Sequence, residues 1–124
     1  MARALIIDDD KAVRDFFRTV LEKLCGLEVA EADTVAAGLK CLSAGLPDIL
    51  LLDSNLPDGT ARDFCFQLKK NAPQALALPK LIISGVRRLE RDNFDWQACG
   101  VKGYLVKPCS IDELKEAVTK CLEN

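Results

Sequence analysis

Five polar side chains follow apolar runs of the sequence, and their types and positions indicate what chemistry the chain can support. Asp8 and Asp9 follow one run, and Asp53 directly follows the most apolar run in the chain; Ser84 and Lys107 each end another. Because the carboxyl ends of parallel strands meet at one edge of a sheet, these side chains are expected to converge. Three carboxylates, one hydroxyl and one ammonium would then share a site.

Carboxylates placed this closely repel one another unless a cation lies among them, and oxygen ligands with room for water suit Mg²⁺, with Mn²⁺ as a possible substitute. Asp9 is expected to bind the ion directly, Asp8 directly or through water, and Asp53 to share it. The backbone carbonyl of Asn55, in the turn-rich segment after Asp53, could complete the protein ligands.

Asp53 also has the properties of a nucleophile. It follows a strand expected to be buried on both faces, so its position is rigid, and a carboxylate can attack phosphorus to form an acyl phosphate. Transfer of this kind needs groups that neutralise the phosphoryl oxygens, and Mg²⁺, Lys107 and the Ser84 hydroxyl can do so. Gly85 has no side chain and would leave space for the phosphoryl group.

The elements that must position these residues alternate along the chain. Strands are predicted over residues 4–7, 27–32, 48–52, 81–83 and 101–106. Helices follow each strand: the first ends near Gly26, the second at Gly45, the third is capped by Thr60, the fourth covers 88–98, and a capping box of Ser110 and Glu113 opens the fifth. Strict alternation predicts an α/β fold, a doubly wound five-stranded parallel sheet with helices on both faces.

Amphipathic periodicity predicts the inward face of the first and last helices. Apolar residues recur at three- and four-residue spacing, which places them on one stripe of a helix. The residues predicted to face inward are Val13, Phe16, Phe17, Val20, Leu21 and Leu24 in the first helix, and Leu114, Val118 and Leu122 in the last.

Length and charge exclude several classes of protein. The 124 residues fit one domain, expected over 1–124. A net charge of -2 makes direct nucleic-acid binding unexpected, since that function normally needs a clustered positive excess. The longest apolar run, 49–52, is far shorter than the roughly 20 residues of a membrane span. A soluble, cytoplasmic protein without a membrane partner is expected.

The cysteines predict free thiols. Six are spread along the chain with no C-x-x-C pair, and the sequence contains no histidine to complete a zinc site. The lack of histidine also excludes Ser-His and Cys-His nucleophile pairs and any phosphohistidine within this chain. Catalysis would therefore depend on carboxylates, lysine, serine or thiols.

Four sequence blocks together carry a resemblance to a known family. They are IIDDD at 6–10, LLDSNLPDG at 51–59, ISG at 83–85 and GYLVKP at 103–108. In their order and spacing, the chain resembles the receiver domain of bacterial two-component response regulators over essentially its whole length. The resemblance implies a flavodoxin-like sheet with strand order 2-1-3-4-5.

The resemblance also implies roles for individual residues. Asp53 corresponds to the phosphoacceptor, Asp8 and Asp9 to the acidic pair that holds Mg²⁺, and Lys107 to the phosphate-binding lysine. Ser84 and Tyr104 correspond to the switch pair, whose movement alters the surface of the fourth helix, fifth strand and fifth helix. The Lys107–Pro108 peptide bond is predicted to be cis.

The partners implied by the resemblance are proteins. The phosphoryl donor would be a sensor histidine kinase or a histidine phosphotransfer protein, and the switched surface would contact a downstream protein or an output domain. The domain would catalyse its own phosphorylation and slow dephosphorylation without conventional turnover. Both a monomer and a phosphorylation-dependent dimer are compatible with the sequence.

Two other functions compete with this interpretation. A receiver-like interaction module could work without phosphorylation. Such a module would not need the charged and polar side chains of Asp8, Asp9, Asp53, Ser84 and Lys107. A flavodoxin-type electron carrier or a haloacid-dehalogenase-type phosphatase could share the fold. The acidic edge would repel a flavin phosphate, and Asn55 stands where such phosphatases carry a second aspartate.

Overall fold

The apolar runs form the strands of a parallel sheet in the computed structural model, which describes residues 2–85 and 94–123. In chain order the strands are β1 (Arg3–Ile7), β2 (Glu28–Ala32), β3 (Ile49–Asp53), β4 (Asn55–Leu56), β5 (Gly59–Thr60), β6 (Lys80–Ser84) and β7 (Val101–Val106). The five longer strands lie in the order β2-β1-β3-β6-β7, with all neighbours parallel. β4 and β5 form a small antiparallel hairpin. The predicted fold and strand order are confirmed.

Helices α1 (Lys11–Cys25), α2 (Val35–Ala44), α3 (Ala61–Asn71) and α4 (Ile111–Leu122) connect or follow the strands. Single turns of 3-10 helix lie at Pro73–Ala75 and Gln97–Cys99. Most of the fourth predicted helix, 88–93 of 88–98, lies outside the described residues. The described residues at its end overlap the 3-10 turn at Gln97–Cys99. The next helix along the chain, α4, therefore corresponds to the fifth predicted helix.

Alternating side chains of the sheet build two core clusters, one on each face. On one face, Leu5 and Leu50 pack with residues of α2 and α3. On the other, Ile6 and Leu51 pack with residues of α1 and α4. Every residue of β3 is buried, because helices cover both sides of this central strand. Asp53, the last residue of β3, is therefore held by a rigid element.

Side-chain caps fix where three helices begin. Asp10 accepts hydrogen bonds from the backbone N–H groups of the first turn of α1. A capping box of Ser110 and Glu113 opens α4, as predicted, and Thr60 forms a second capping box with Asp63 at the start of α3. These caps satisfy N–H groups that have no partner within the helix.

The predicted helix stripes are correct only in part. Phe17, Val20 and Leu21 are buried in α1, but Phe16 is 37% exposed and Leu24 is 53% exposed, so the prediction is wrong for these two residues. In α4, Cys121 replaces Leu122 on the inward face, with exposed fractions of 2% and 36%. Leu122 is eight residues after Leu114, so its side chain points about 80° away from that of Leu114 around the helix axis. Cys121 is seven residues after Leu114 and points within about 20° of the same direction.

The prediction that all cysteines are free thiols is wrong for one pair. Cys65 and Cys99 form a disulfide whose Cα atoms lie 6.0 Å apart, although 34 residues separate them in sequence. The inward face of α3 and the turn before β7 bring the two side chains together, and this contact leaves no local spacing signal in the sequence. The other four cysteines, Cys25, Cys41, Cys109 and Cys121, are free.

Lys80 is a fully buried cation that the sequence analysis overlooked. Its Nζ donates hydrogen bonds to the carbonyl oxygens of Ala75 and Leu78, both at 2.8 Å, and of Leu76 at 3.2 Å. Burial lowers the pKa of Lys80 to about 8. Gly100 has φ +79, and a Cβ atom there would collide with two of these carbonyl oxygens, those of Leu76 and Leu78. Lysine and glycine thus close the turn that precedes β6.

A helix that spans a membrane must be both long and apolar. Among the residues 2–85 and 94–123, no helix is both long enough and apolar enough to span a bilayer.

Candidate functional site

The carboxyl end of β1 supplies two carboxylates with different environments. Asp8 is 1% exposed, whereas Asp9 faces solvent. The Oδ1 atom of Asp8 accepts a hydrogen bond from the backbone N–H of Asp10 at 2.9 Å, and Asp10 in turn caps α1. The start of α1 therefore fixes the buried carboxylate, and the exposed one lies beside it.

Asp53 joins this pair from the end of β3. Carboxylate oxygens of Asp8, Asp9 and Asp53 all lie within 4.8 Å of one another. Burial and the negative charge of Asp8 raise the pKa of Asp53, against the opposing effects of Lys107 and the Asn55 backbone N–H. Burial, more than the charge of Asp8, therefore disfavours the ionised form of Asp53, and a cation in the site would favour it.

Lys107 brings the one ammonium group that contacts this cluster among the described residues. Its Nζ lies 2.8 Å from Oδ2 of Asp8 and 3.5 Å from Oδ2 of Asp53. Burial disfavours the charged lysine, but hydrogen bonding to Asp8 and the charges of Asp53 and Asp8 outweigh it and raise the pKa of Lys107. The Lys107–Pro108 peptide bond is cis, as predicted.

The three carboxylates fit a small divalent cation. Their oxygens are hard ligands that converge on one point, and one of them, Asp9, is open to solvent for ligands supplied by water. Oδ2 of Asp8 is buried, and its contact among the described residues is the Lys107 ammonium at 2.8 Å. That oxygen has lone pairs to offer a metal ion.

Ser84 lies at the end of β6, next to Asp53. Its side chain is buried, and its backbone carbonyl accepts a hydrogen bond from the N–H of Lys107 at 2.7 Å. The preceding carbonyl, of Ile83, accepts one from Ser54 at 2.8 Å. The end of β6 therefore anchors both Ser54, the residue after Asp53, and Lys107. Among residues 2–85 and 94–123, no atom would lie within 4 Å of a Cβ placed at Gly85.

Tyr104 lies outside the acidic cluster but on the same face of the sheet as Ser84. Tyr104 pairs with Ile82 and Val106 pairs with Ser84 in the parallel ladder between β6 and β7. Because side chains alternate along a strand, Ile82, Ser84 and Tyr104 point to one side. Tyr104 is half-buried against the core cluster on that side.

Asn55 begins the hairpin after Asp53 and pairs with Thr60. Its backbone N–H points to Oδ1 of Asp53 at 3.5 Å, so the main chain of Asn55 follows the acidic cluster closely. The roles of its carbonyl as a metal ligand, and of Ser84 and Tyr104 as a switch, remain predictions.

Comparison with known proteins assigns this arrangement to a family. A sequence model of the family described as "Response regulator receiver domain" matches residues 4–119. The chain belongs to this family.

Relatives of the receiver domain include regulators of different length. The present chain is 37% identical over 115 residues to the KDP operon transcriptional regulatory protein KdpE of Escherichia coli, and the match covers 93% of this chain but 48% of that protein. It is 31% identical over 121 residues to the chemotaxis protein CheY of Pseudomonas aeruginosa, covering 98% and 96%. The chain thus spans about half of the first relative and nearly all of the second.

Solved structures resemble this receiver domain over almost all of its length. The chemotaxis response regulator CheY4 of Vibrio cholerae matches with a TM-score of 0.86 and 25% identity, covering 98% of this chain and 99% of that chain. A CheY-like receiver domain protein from Methanospirillum hungatei matches with a TM-score of 0.83 and 30% identity, covering 98% and 94%. The sheet and the helices described above are those of the family.

The sequence analysis missed a network of three residues that supports the main chain of Asp8. Arg14, on α1, donates from Nη1 to the backbone carbonyl of Asp8 at 2.7 Å and from Nε to Glu31 at 2.8 Å. Arg18 pairs with the other oxygen of Glu31. Burial opposes the charge of Glu31, but hydrogen bonds from Arg18 and Arg14 outweigh it and lower its pKa. The sequence does carry a signal for this network: Glu31 is an acidic residue within a predicted strand, and Arg14 and Arg18 lie four residues apart on a predicted helix.

Asp58 connects the loop after Asp53 to α2 and was also missed. Its Oδ1 accepts a hydrogen bond from Val35 N–H at 2.7 Å and its Oδ2 one from Ala36 N–H at 3.0 Å. These hydrogen bonds lower the pKa of Asp58. The carboxylate therefore caps a helix from another loop and restrains the segment that follows the candidate nucleophile.

Proposed function

We propose that this receiver domain accepts a phosphoryl group on Asp53 and transmits a signal through the resulting change at its surface. The observation that carries the proposal is the position of Asp53 at the end of the fully buried β3, with Asp8 and Asp9 around it and Lys107 Nζ 3.5 Å away. A carboxylate in a rigid position beside a cation is suited to nucleophilic attack on phosphorus.

Asp8, Asp9 and Asp53, with the backbone carbonyl of Asn55, would hold the Mg²⁺ ion. When bound, Mg²⁺ supplies positive charge to the phosphoryl oxygens. Asp8 is the rigid part of this set, because it is buried and hydrogen-bonded to the start of α1. Asp9 faces solvent, on the side where water and the phosphoryl oxygens would enter.

Lys107 and Ser84 would contact the transferred group. Lys107 Nζ lies between Asp8 and Asp53, so a small movement away from Asp8 brings the ammonium to a phosphoryl oxygen on Asp53. Ser84 ends the strand beside β3 and supplies a hydroxyl group at the same edge of the sheet. Both groups stabilise the negative charge that phosphorylation adds.

The chain contains no histidine, so the phosphohistidine that donates the group would lie on a separate protein, a sensor histidine kinase or a histidine phosphotransfer protein. The domain would catalyse the transfer and its own slow dephosphorylation. The response would pass through Ser84 and Tyr104 to a surface that includes β7 and α4, read by a protein target or an output domain. These steps belong in the cytoplasm, where such donors work.

Intact-protein mass after incubation with acetyl phosphate tests the proposal. The native chain should gain one phosphoryl group with Mg²⁺ and none without it, and the gain should be labile in base. Asp53→Asn should abolish the gain. Asp48→Asn is the matched control, because Asp48 immediately precedes the same strand at its opposite end and bonds to Arg3 N–H at 2.7 Å.

Folded native protein that gains no phosphoryl group from acetyl phosphate or a second small donor would contradict the proposal. It would favour a receiver-like interaction module that works without phosphorylation. A gain that persists in Asp53→Asn would place the phosphoryl group on another residue and would equally contradict the assignment.

A further inference from the structure

Two cysteines that phosphoryl transfer does not use lie together in the core. Cys65 is on the inward face of α3, and Cys99 ends the 3-10 turn that leads into β7; each is 3% exposed. Their Cα separation of 6.0 Å lies within the range that a disulfide spans without backbone movement. The structure joins this pair and leaves the other four cysteines free.

We propose that Cys65 and Cys99 form a reversible thiol–disulfide modification site, oxidised by hydrogen peroxide and reduced by a dithiol of the thioredoxin type. The inference rests on the proposed cytoplasmic signalling function. Disulfides are rare in a reducing compartment, and those that do form there are usually transient and sense oxidants. A covalent framework is not needed for a domain of this length.

The core accepts both states of the pair. Cys65 and Cys99 belong to the apolar cluster that includes Phe64, Leu68 and Ile82. A protonated cysteine packs as a small hydrophobic residue, so two thiols can occupy the same positions without burying an unpaired charge. The fold therefore does not depend on the oxidised state, which is the condition for a reversible site.

A cleft gives small oxidants access to the sulfur atoms. It has a volume of about 170 Å³, and its lining includes both cysteines together with Phe66, Lys69 and Phe94. Hydrogen peroxide is small enough to enter such a cleft. The lining also includes the ammonium of Lys69 and the carboxylate of Asp95, whose effects on a thiolate oppose each other.

Proximity of the two sulfur atoms, rather than thiol acidity, gives the selectivity. Disulfide formation needs a second cysteine within bonding reach, and Cys65 and Cys99 meet this condition with Cα atoms 6.0 Å apart. The other four cysteines, Cys25, Cys41, Cys109 and Cys121, are free in the structure. Selective disulfide formation at the Cys65–Cys99 pair is therefore expected.

The chemistry balances with one molecule of peroxide for each pair. One thiolate attacks a peroxide oxygen, the O–O bond breaks, and a sulfenic acid and one water form. The second thiolate then attacks that sulfur, the S–O bond breaks, and the S–S bond forms with release of a second water. Two thiols lose two electrons and two protons, and peroxide gains them. A dithiol reverses the change by exchange and is itself oxidised to a disulfide.

Oxidation ties α3 to the turn that leads into β7. The closed segment includes all of β6, which carries Ser84, and β7 carries Tyr104 and is followed by Lys107. Cross-linking two distant positions restricts the unfolded chain and so stabilises the folded one. Redox state would therefore set the stability of the half of the sheet that supplies the serine and the lysine.

Thiol counting tests the proposal. Protein reduced under nitrogen is treated with one equivalent of peroxide, unfolded, alkylated and weighed. The reduced chain should carry six reactive thiols and the oxidised chain four. Dithiothreitol should restore all six without denaturant. Oxidation should raise Tm by roughly 10 °C, the value expected for a loop of this length.

Two variants make the result specific. Cys65→Ala should abolish both the loss of thiols and the shift in Tm, and Cys99→Ala serves the same purpose if the first variant does not fold by circular dichroism. Cys121→Ala is the matched control, since Cys121 is equally buried but free, and it should keep both effects.

Six thiols after peroxide treatment, or a loss of thiols that survives in Cys65→Ala, would overturn the proposal. So would a disulfide that dithiothreitol reduces only in denaturant, because it would then be a permanent part of the fold. Phosphoryl gain at Asp53 is measured on the same reduced samples. A chain that forms the disulfide but gains no phosphoryl group contradicts only the proposed phosphorylation. A chain that gains the phosphoryl group but forms no disulfide contradicts only the proposed redox site.

Discussion

The Lys107 ammonium lies closer to Asp8 than to Asp53, at 2.8 Å against 3.5 Å. In the phosphate-free domain, the lysine therefore neutralises the buried carboxylate proposed to hold the metal ion, and only secondarily the proposed phosphoacceptor. A divalent cation that enters this site would lie close to the Lys107 ammonium, because that ammonium already contacts the carboxylates that would bind the cation. The lysine and the cation then repel each other, and the added charge of a phosphoryl group would relieve that repulsion.

Lys107→Met should consequently bind Mg²⁺ more tightly than the native domain while being phosphorylated more slowly. Removal of one positive charge near the cation is expected to be worth about 1 kcal/mol, or roughly fivefold in Kd. Isothermal titration calorimetry measures the binding, and acetyl phosphate kinetics measures the rate.

Lys102→Met is the control for Lys107→Met, because Lys102 is exposed near the other end of the same strand and should change neither quantity. Weaker Mg²⁺ binding in Lys107→Met would contradict this account. It would mean that Lys107 organises the carboxylates more than it repels the ion.

Asp53→Asn should stabilise the domain in the absence of divalent cations. Burial and the charge of Asp8 both raise the pKa of Asp53, so the ionised carboxylate is unfavourable in the folded state. A neutral amide of the same shape removes that repulsion, and a gain of roughly 1 kcal/mol, or about 4 °C in Tm, is expected. Thermal unfolding in the presence of a chelator measures it.

Mg²⁺ should reverse the order of stability between the native domain and Asp53→Asn. A ligand that binds only the folded state stabilises it in proportion to its affinity, and the variant has lost one ligand. Asp48→Asn should show no gain with the chelator, since Asp48 makes a hydrogen bond to Arg3 rather than facing other carboxylates. A lower Tm for Asp53→Asn under chelation would show that Asp53 makes a net favourable contribution to the apo fold.

Local patterns in the sequence predicted the alternating strands and helices and the converging residues, whereas the strand order was implied by the family resemblance. An apolar run that stops at a polar residue marks where a parallel strand ends, and strand ends share one edge. This reasoning brought Asp8, Asp9, Asp53 and Lys107 together correctly. It failed at Leu122, where a four-residue spacing extended over eight residues drifts off the inward face.

Contacts that depend on the register between elements were not predictable. Glu31 reaches Arg14 because β2 pairs with β1 in a register that sets Ile6 opposite Glu31, and because α1 turns Arg14 to the same side. The Cys65–Cys99 disulfide likewise depends on the tertiary arrangement of residues 34 apart. A single sequence carries the residue types for these contacts but not their relative placement.

Glu31→Gln should weaken Mg²⁺ binding although Glu31 does not touch the acidic cluster. Glu31 holds Arg14, and Arg14 donates to the backbone carbonyl of Asp8 at 2.7 Å. Loss of the charged partner frees the guanidinium and loosens the main chain that carries two of the three carboxylates. Groups that support metal ligands in this way typically matter by about tenfold in affinity.

Glu22→Gln is a matched control for this prediction. Glu22 accepts a hydrogen bond from Arg18 at 2.9 Å, as Glu31 also does, but the described contacts of Glu22 do not include Arg14. Calorimetric Kd values for Mg²⁺ should therefore be unchanged in Glu22→Gln. Equal weakening in both variants would assign the effect to the stability of α1 rather than to the position of Asp8.

Lys80 should make the stability of the domain depend on pH in the alkaline range. Burial lowers the pKa of Lys80 to about 8 in the folded state, from the ordinary lysine value of 10.5. Between these two values the unfolded chain binds one more proton than the folded one, so the free energy of unfolding rises with pH. The cost of burying the charged lysine is fully present below pH 8 and is relieved as the pH approaches 10.

Urea unfolding at pH 7.5 and pH 9.5 measures this effect against Lys80→Met, which lacks the titrating group but keeps a long apolar side chain. The native domain should gain of the order of 2 kcal/mol over this interval relative to the variant. The thiols and exposed lysines titrate in both proteins and cancel in the comparison. A parallel pH dependence of the two proteins would mean that the carbonyl oxygens of Ala75, Leu76 and Leu78 keep Lys80 protonated despite its burial.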